Sequence, residues 1–121
     1  RCHFGFNFTD ERFHNLGVDW DTDHIDVGRY GVTKTPKDLG AFKTPTLREI
    51  VQTAPYMHNG RFATLRQVID FYDRGGVPNP HLDPAIKPLR LTKQEKEDLI
   101  EFLHSLNGEG WEVIPPTDFP E

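Results

Sequence analysis

Apolar residues recur with a helical period at three places in the chain. In the clearest, Leu65, Val68, Ile69 and Tyr72 fall at i, i+3, i+4 and i+7, behind Thr64 as a cap and ahead of the pair Gly75-Gly76. That spacing predicts a helix with one shared buried face. In the second, Leu99, Ile100, Leu103 and Leu106 form an apolar stripe, Thr92 caps it, Glu95 completes a capping box, and Asn107-Gly108 ends it. A weaker third pattern spans 43–51, with Thr44 or Thr46 as cap and Leu47, Ile50 and Val51 on one side. Between these lie an aromatic stretch at 4–16 that turns at Thr9-Asp10 and closes on Gly17, and an aperiodic segment at 27–44. A Pro-broken loop fills 77–90, and residues 111–121 are expected to lie as a tail over the surface. The fold class expected is all-α, with short helices and long ordered loops.

Composition changes that picture in one respect. The 121 residues are 36% hydrophobic yet include nine Phe, two Trp, ten Pro and ten Gly. A single domain of this size buries a modest core, and a large prosthetic group would help to fill it. Fourteen Lys and Arg against nineteen Asp and Glu leave a net charge of -5, with no basic run. Nucleic acid is therefore not an expected partner. No apolar run reaches the roughly twenty residues of a membrane span. No signal peptide opens the chain, and for an exported protein it is expected upstream.

The single cysteine excludes an internal disulfide framework. It stands in Arg1-Cys2-His3, the tail of Cys-x-x-Cys-His, in which two thioethers fix the porphyrin edge and the adjoining histidine sits under the iron. By itself the dipeptide is weak evidence, and its plainer reading is a frayed terminus with one free thiol. His14 reads as a hydrogen-bonded structural histidine. The alternating acids of 19–26 suggest a calcium loop, but His24 stands where the sharp turn needs Gly and Tyr30 where a bidentate Glu is needed. They are read instead as a solvated acidic loop, open to a basic partner. Lys43 and Arg48 suit haem propionates or plain surface charge. Met57, His58 and Tyr72 collect three potential iron or redox side chains on one loop and the helix after it.

Several segments together resemble one family. They are Cys2-His3, the run from Phe42 to Arg48, the run from Thr53 to Gly60, Ala63-Thr64-Leu65 through Gly75-Gly76, and Leu91-Thr92 through Gly108. They resemble the C-terminal half of the bacterial dihaem cytochrome c peroxidases and their MauG-like relatives, over nearly the whole chain up to Gly108. The resemblance implies a cytochrome c-like haem domain over 1–108, with 109–121 as a C-terminal tail. It implies covalent haem c on Cys2, with His3 as proximal ligand. It further implies a periplasmic protein with a separate N-terminal haem domain where hydrogen peroxide reacts. In the resembling peroxidases the ligand methionine follows the loop histidine by fourteen residues, and here that place is Tyr72. MauG-like enzymes carry a tyrosine ligand there, so Tyr72 is favoured over Met57, which becomes a pocket-lining residue. Calcium is implied at Thr53 and Pro55, and His58 is implied to support the haem site without binding iron.

The resulting expectation is an electron-transfer haem domain of a peroxide-using oxidoreductase, with its catalytic centre outside this chain. Its partner is a small electron-donor protein or a protein substrate. The alternatives are a conventional dihaem cytochrome c peroxidase domain and, in a different class, a haem-free helical interaction module. A zinc site from Cys2, His14 and His24 is a poorer reading, because no pair has the usual ligand spacing.

Overall fold

Two capping boxes start the two long helices. Thr64 Oγ1 accepts from the Gln67 amide while Gln67 reaches back to the Thr64 amide, opening α2 (Leu65–Asp73). Thr92 and Glu95 make the same exchange at the start of α3 (Lys93–Ser105). Each box satisfies amides that the first helical turn leaves without partners. The computed structural model describes residues 2–110, so the tail expected at 111–121 lies outside the described residues.

The core forms where these helices meet. Leu65 and Ile69 of α2 pack with Leu103 of α3, and Leu47, Ile50, Val51, Ile100 and Leu106 close around them. Each fully buried aliphatic side chain contributes about 1.5–3 kcal/mol. At the rim, Lys96 Nζ lies 2.8 Å from Asp70 and 2.7 Å from Asp73, tying α3 back onto α2. The buried stripe of α3 is narrower than its pattern: Leu103 is buried, but Leu99 remains 37% exposed.

The helix α2 uses more than one face. Leu65 and Ile69 enter the core, whereas Val68 and Tyr72 border a cavity. Phe71, outside the predicted stripe, is the most buried large side chain and packs on Phe62 with ring centroids 5.2 Å apart. A four-position pattern reports one stripe, but a helix between a core and a cavity buries a wider arc.

The all-α expectation is overturned. Strand β1 (Phe13–Asn15) pairs antiparallel with β2 (Ala41–Lys43), with His14 opposite Phe42, and two further bridges join Gly28 to Ala41 and Tyr56 to Phe62. Among the described residues, α-helix is confined to α2, α3 and a single turn, α1 (Tyr30–Thr33). The strands escape the pattern because three residues are too few to show a period of two, and because their partners are far apart in sequence. The helical turn expected at 43–51 also moves: the Thr44 amide donates to the Arg12 carbonyl, the Thr46 hydroxyl donates to the Asn7 carbonyl and accepts from the Arg48 amide, neither starts a helix, and a 3-10 turn occupies Ile50–Gln52. Long ordered loops remain the dominant feature, as composition suggests.

Candidate functional site

A cavity of about 890 Å³ is bounded by residues 2–3, by β2 and the segment after it, by the turn at 57–60, by α2, and by a strap at 84–87. Ligand pockets run from about 300 to 1,000 Å³, so this one suits a large group. His3 borders it with a fixed tautomer. Its Nδ1 lies 2.9 Å from the Phe8 carbonyl, which only accepts, so Nδ1 carries the hydrogen and Nε2 keeps its lone pair. Cys2 stands beside it, its thiol pushed up by burial and by the charges of Asp10 and Asp83.

Tyr72 borders the same cavity from α2, its ring edge-on to Phe71 at 6.0 Å. Burial, and then the Cys2 charge, pushes its phenol up to about 12. Among the described residues its hydroxyl makes no hydrogen bond, which is unusual for a tyrosine held in apolar surroundings. Met57 borders the cavity too, on a backbone in the left-handed region (φ 73°) that bulky residues rarely adopt.

A polar clasp holds that turn. Asp19 accepts from His58 Nε2 at 2.8 Å and from Asn59 Nδ2, while Arg61 binds both oxygens of Asp21 and the Val18 carbonyl. His58 also stacks flat on Phe42, centroids 3.5 Å apart. The loop read as solvated is thus partly a clasp on the cavity wall. Asp19 and Arg61 were not foreseen as site residues, because their partners lie about forty positions away and no local pattern connects them.

A second clasp centres on His14, whose Nδ1 lies 2.6 Å from Asp83 and whose Nε2 lies 2.8 Å from Asp10. Only the imidazolium donates from both nitrogens, so His14 is a cation between two carboxylates, the structural role expected of it. Burial opposes that charge, but the two carboxylates outweigh it and raise the His14 pKa above 6.5. Burial also opposes ionisation of Asp10, yet bonds from Arg12, His14 and Thr44 bring it down to about 2. The histidine contribution is complete below pH 6.5 and fades as pH rises through the raised value. The Asp10 contribution is complete above pH 3.8 and fades as pH falls towards 2. Thermal melts across pH are therefore expected to decline on both sides of a plateau. His14→Gln is expected to abolish the alkaline decline and to cost about 2 kcal/mol on the plateau; an unchanged alkaline limb contradicts this.

The remaining predicted residues are also at the cavity. Lys43 pairs with Glu11 at 2.6 Å, and Arg48 donates Nε and Nη2 to the Phe6 carbonyl with its guanidinium 4.4 Å from the Phe6 ring. Thr53 and Pro55 line its edge, the Thr53 hydroxyl donating to the Ile50 carbonyl. The zinc reading weakens. Ligand atoms of Cys2, Asp10 and His14 lie within 4.8 Å of one another, but His24 does not join them and both His14 nitrogens are occupied.

No protein-family model matches the chain. It is 55% identical over 84 residues to cytochrome-c peroxidase IdrP1 of Pseudomonas sp. (strain SCT), covering 69% of this chain and 22% of that protein. It is 36% identical over 115 residues to methylamine utilization protein MauG of Methylorubrum extorquens, covering 95% of this chain and 32% of that protein. The crystal structure of a MauG-like protein associated with microbial copper homeostasis superposes with a TM-score of 0.78 at 36% identity, over 89% of this chain and 42% of that one. The chain belongs to the bacterial dihaem cytochrome c peroxidase and MauG-like family. It fits a C-terminal part of these proteins and spans a third or less of the two curated relatives named.

Membership in this peroxidase and MauG-like family implies a c-type haem, and the residues fit one. An imidazole with Nδ1 tied to a backbone carbonyl is pre-oriented as a metal ligand through Nε2. Tyr72, whose hydroxyl has no partner among the described residues, and Cys2, next to the imidazole, line the same cavity. Calcium is less well provided for, since Thr53 and Pro55 fall short of its usual six to eight oxygens without further ligands.

Proposed function

We propose that this chain is the electron-transfer haem domain of a periplasmic, MauG-like dihaem oxidoreductase that uses hydrogen peroxide, in which His3 and Tyr72 would hold the haem iron. The observation that carries the reading is one cavity lined by both His3, whose Nδ1 is tied to the Phe8 carbonyl, and Tyr72, whose hydroxyl has no hydrogen-bond partner among the described residues. When bound, the haem supplies one-electron redox chemistry. His3 would bind through Nε2 while the Phe8 carbonyl holds its other nitrogen. Tyr72 would bind as a phenolate, and a phenol held up to about 12 by burial would give up its proton at neutral pH only opposite a strong positive charge. Met57 fills space beside the ring. His58, held by Asp19 and Phe42, keeps the wall in place, and Lys43 and Arg48 share their donors with the haem carboxylates.

A haem in a separate N-terminal domain would supply the reaction with peroxide. This domain passes electrons from a small donor protein or oxidising equivalents to a protein substrate. Thr53 and Pro55 lie on the seam with that domain, where its oxygens complete a calcium site. No described helix is long and apolar enough to cross a membrane, which is compatible with a periplasmic location. The second reading, a conventional peroxidase domain accepting electrons from a small redox protein, is favoured by the 55% identity to IdrP1. Tyr72 tilts the choice, since a hard phenolate favours ferric and higher states and a thioether favours ferrous iron.

The natural-length protein, expressed with haem-maturation machinery, is expected to show a Soret band from two covalently bound haems. A protein that matures without a Soret band is instead the haem-free module.

A further inference from the structure

Six basic side chains border the cavity, and among the described residues five already have acceptors. His3 donates to the Phe8 carbonyl, His14 to Asp10 and Asp83, Lys43 to Glu11, Arg48 to the Phe6 carbonyl and His58 to Asp19. Lys87 is the sixth, and it has none. We infer that Lys87 is the cation that receives a carboxylate of the cavity's ligand, a dianionic planar macrocycle of the porphyrin class. The inference rests on the haem reading above and adds a residue to it.

Lys87 is presented by a frame that is pinned at both ends. Upstream, Asp83 is bonded to His14 at 2.6 Å, and its amide donates to the Asn15 carbonyl at 2.9 Å. Asp83 also accepts from the amides of Ala85 and Ile86 at 2.8 and 2.9 Å. Downstream, the Leu89 amide donates to the Asp73 carbonyl at 2.9 Å. A lysine loses rotamer freedom when it pairs, but here its stem starts from a fixed place and its charge has no acceptor to leave among the described residues. Lys43 and Arg48 must give up or share an existing bond to do the same work.

The test compares zinc protoporphyrin IX with its dimethyl ester, which lacks both carboxylates, by fluorescence titration of the chain. Wild type is expected to prefer the free acid, and the preference is expected to shrink with added salt. Lys87→Gln is expected to weaken free-acid binding about threefold to tenfold and leave ester binding unchanged. Lys87→Arg is expected to restore it, and Lys43→Gln and Arg48→Gln to have smaller effects. Lys87 is exposed, so a melt matching wild type is expected for each of its variants. A Lys87→Gln chain with the wild-type preference overturns the assignment of Lys87 and leaves the haem reading standing, as does a wild type that binds both porphyrins equally. A wild type that binds neither porphyrin overturns both.

Discussion

Tyr72→Phe in the haem-loaded, natural-length protein is expected to move the ferric absorption of one haem from a six-coordinate, low-spin form to a high-spin or methionine-bound form. The midpoint potential of that haem is expected to rise by on the order of 0.1 V or more, because a hard anionic ligand that stabilises ferric iron is lost. The phenol cannot be acting as an ordinary core residue in this account. Its pKa of about 12 shows how strongly the pocket disfavours the phenolate unless positive charge stands opposite. A merely structural Tyr72 makes a different prediction for the same variant. Its hydroxyl bonds nothing among the described residues, so removing it from the haem-free chain is expected to be neutral or slightly stabilising, within about 1 kcal/mol. An unchanged spectrum and potential refute the ligand assignment and leave Met57 as the alternative.

The parts of this molecule that are legible in sequence are those whose causes are local. Thr64 and Thr92 announce their helices because a cap acts within four residues; the Thr92–Glu95 box forms as expected, and Thr64, expected only as a cap, also forms a box with Gln67. His14 reads correctly as a bonded structural histidine, although nothing in the pattern says that its partners are Asp10 and Asp83. The illegible parts have distant causes. Strand β1 exists because β2 lies beside it, with His14 set against Phe42. Asp19 faces inward because His58 and Asn59 reach it from another loop. The Pro-broken segment reads as a connection, and only the fold shows that its residues 84–87 form a cavity wall. Phe71 is buried because α2 faces core, cavity and Phe62 at once, a situation that a single amphipathic stripe does not describe.

The glycines illustrate the same division, and they carry the second large effect. Gly17 and Gly75-Gly76 read as local punctuation, one closing a turn and the pair ending a helix. In the fold, Gly17 and Gly76 also lie where two backbones cross at contact. A Cβ on Gly76 would stand 2.4 Å from the Leu16 carbonyl oxygen, and one on Gly17 would stand 2.2 Å from that of Val77. Real side chains do not tolerate such distances to backbone, and Gly76 has φ +67° besides. Gly76→Ala is therefore expected to cost about 3–5 kcal/mol, combining left-handed strain with the separation of the two segments. Domains of this kind are stable by only about 5–15 kcal/mol, so the variant is expected to be partly unfolded near 37 °C. Gly5→Ala separates the two causes, because Gly5 has φ +72° with nothing within 4 Å of an added Cβ. It is expected to cost about 1–2 kcal/mol, for strain alone. Urea melts of the two variants that agree within 1 kcal/mol contradict a role for the close approach. The crossing also joins the end of α2, and so Tyr72, to the segment that follows β1, and so His14 and the strap it holds. Forcing it apart is expected to shift both walls of the cavity together, so the Gly76→Ala protein that remains folded is expected to bind porphyrin more weakly than the Gly5→Ala protein does.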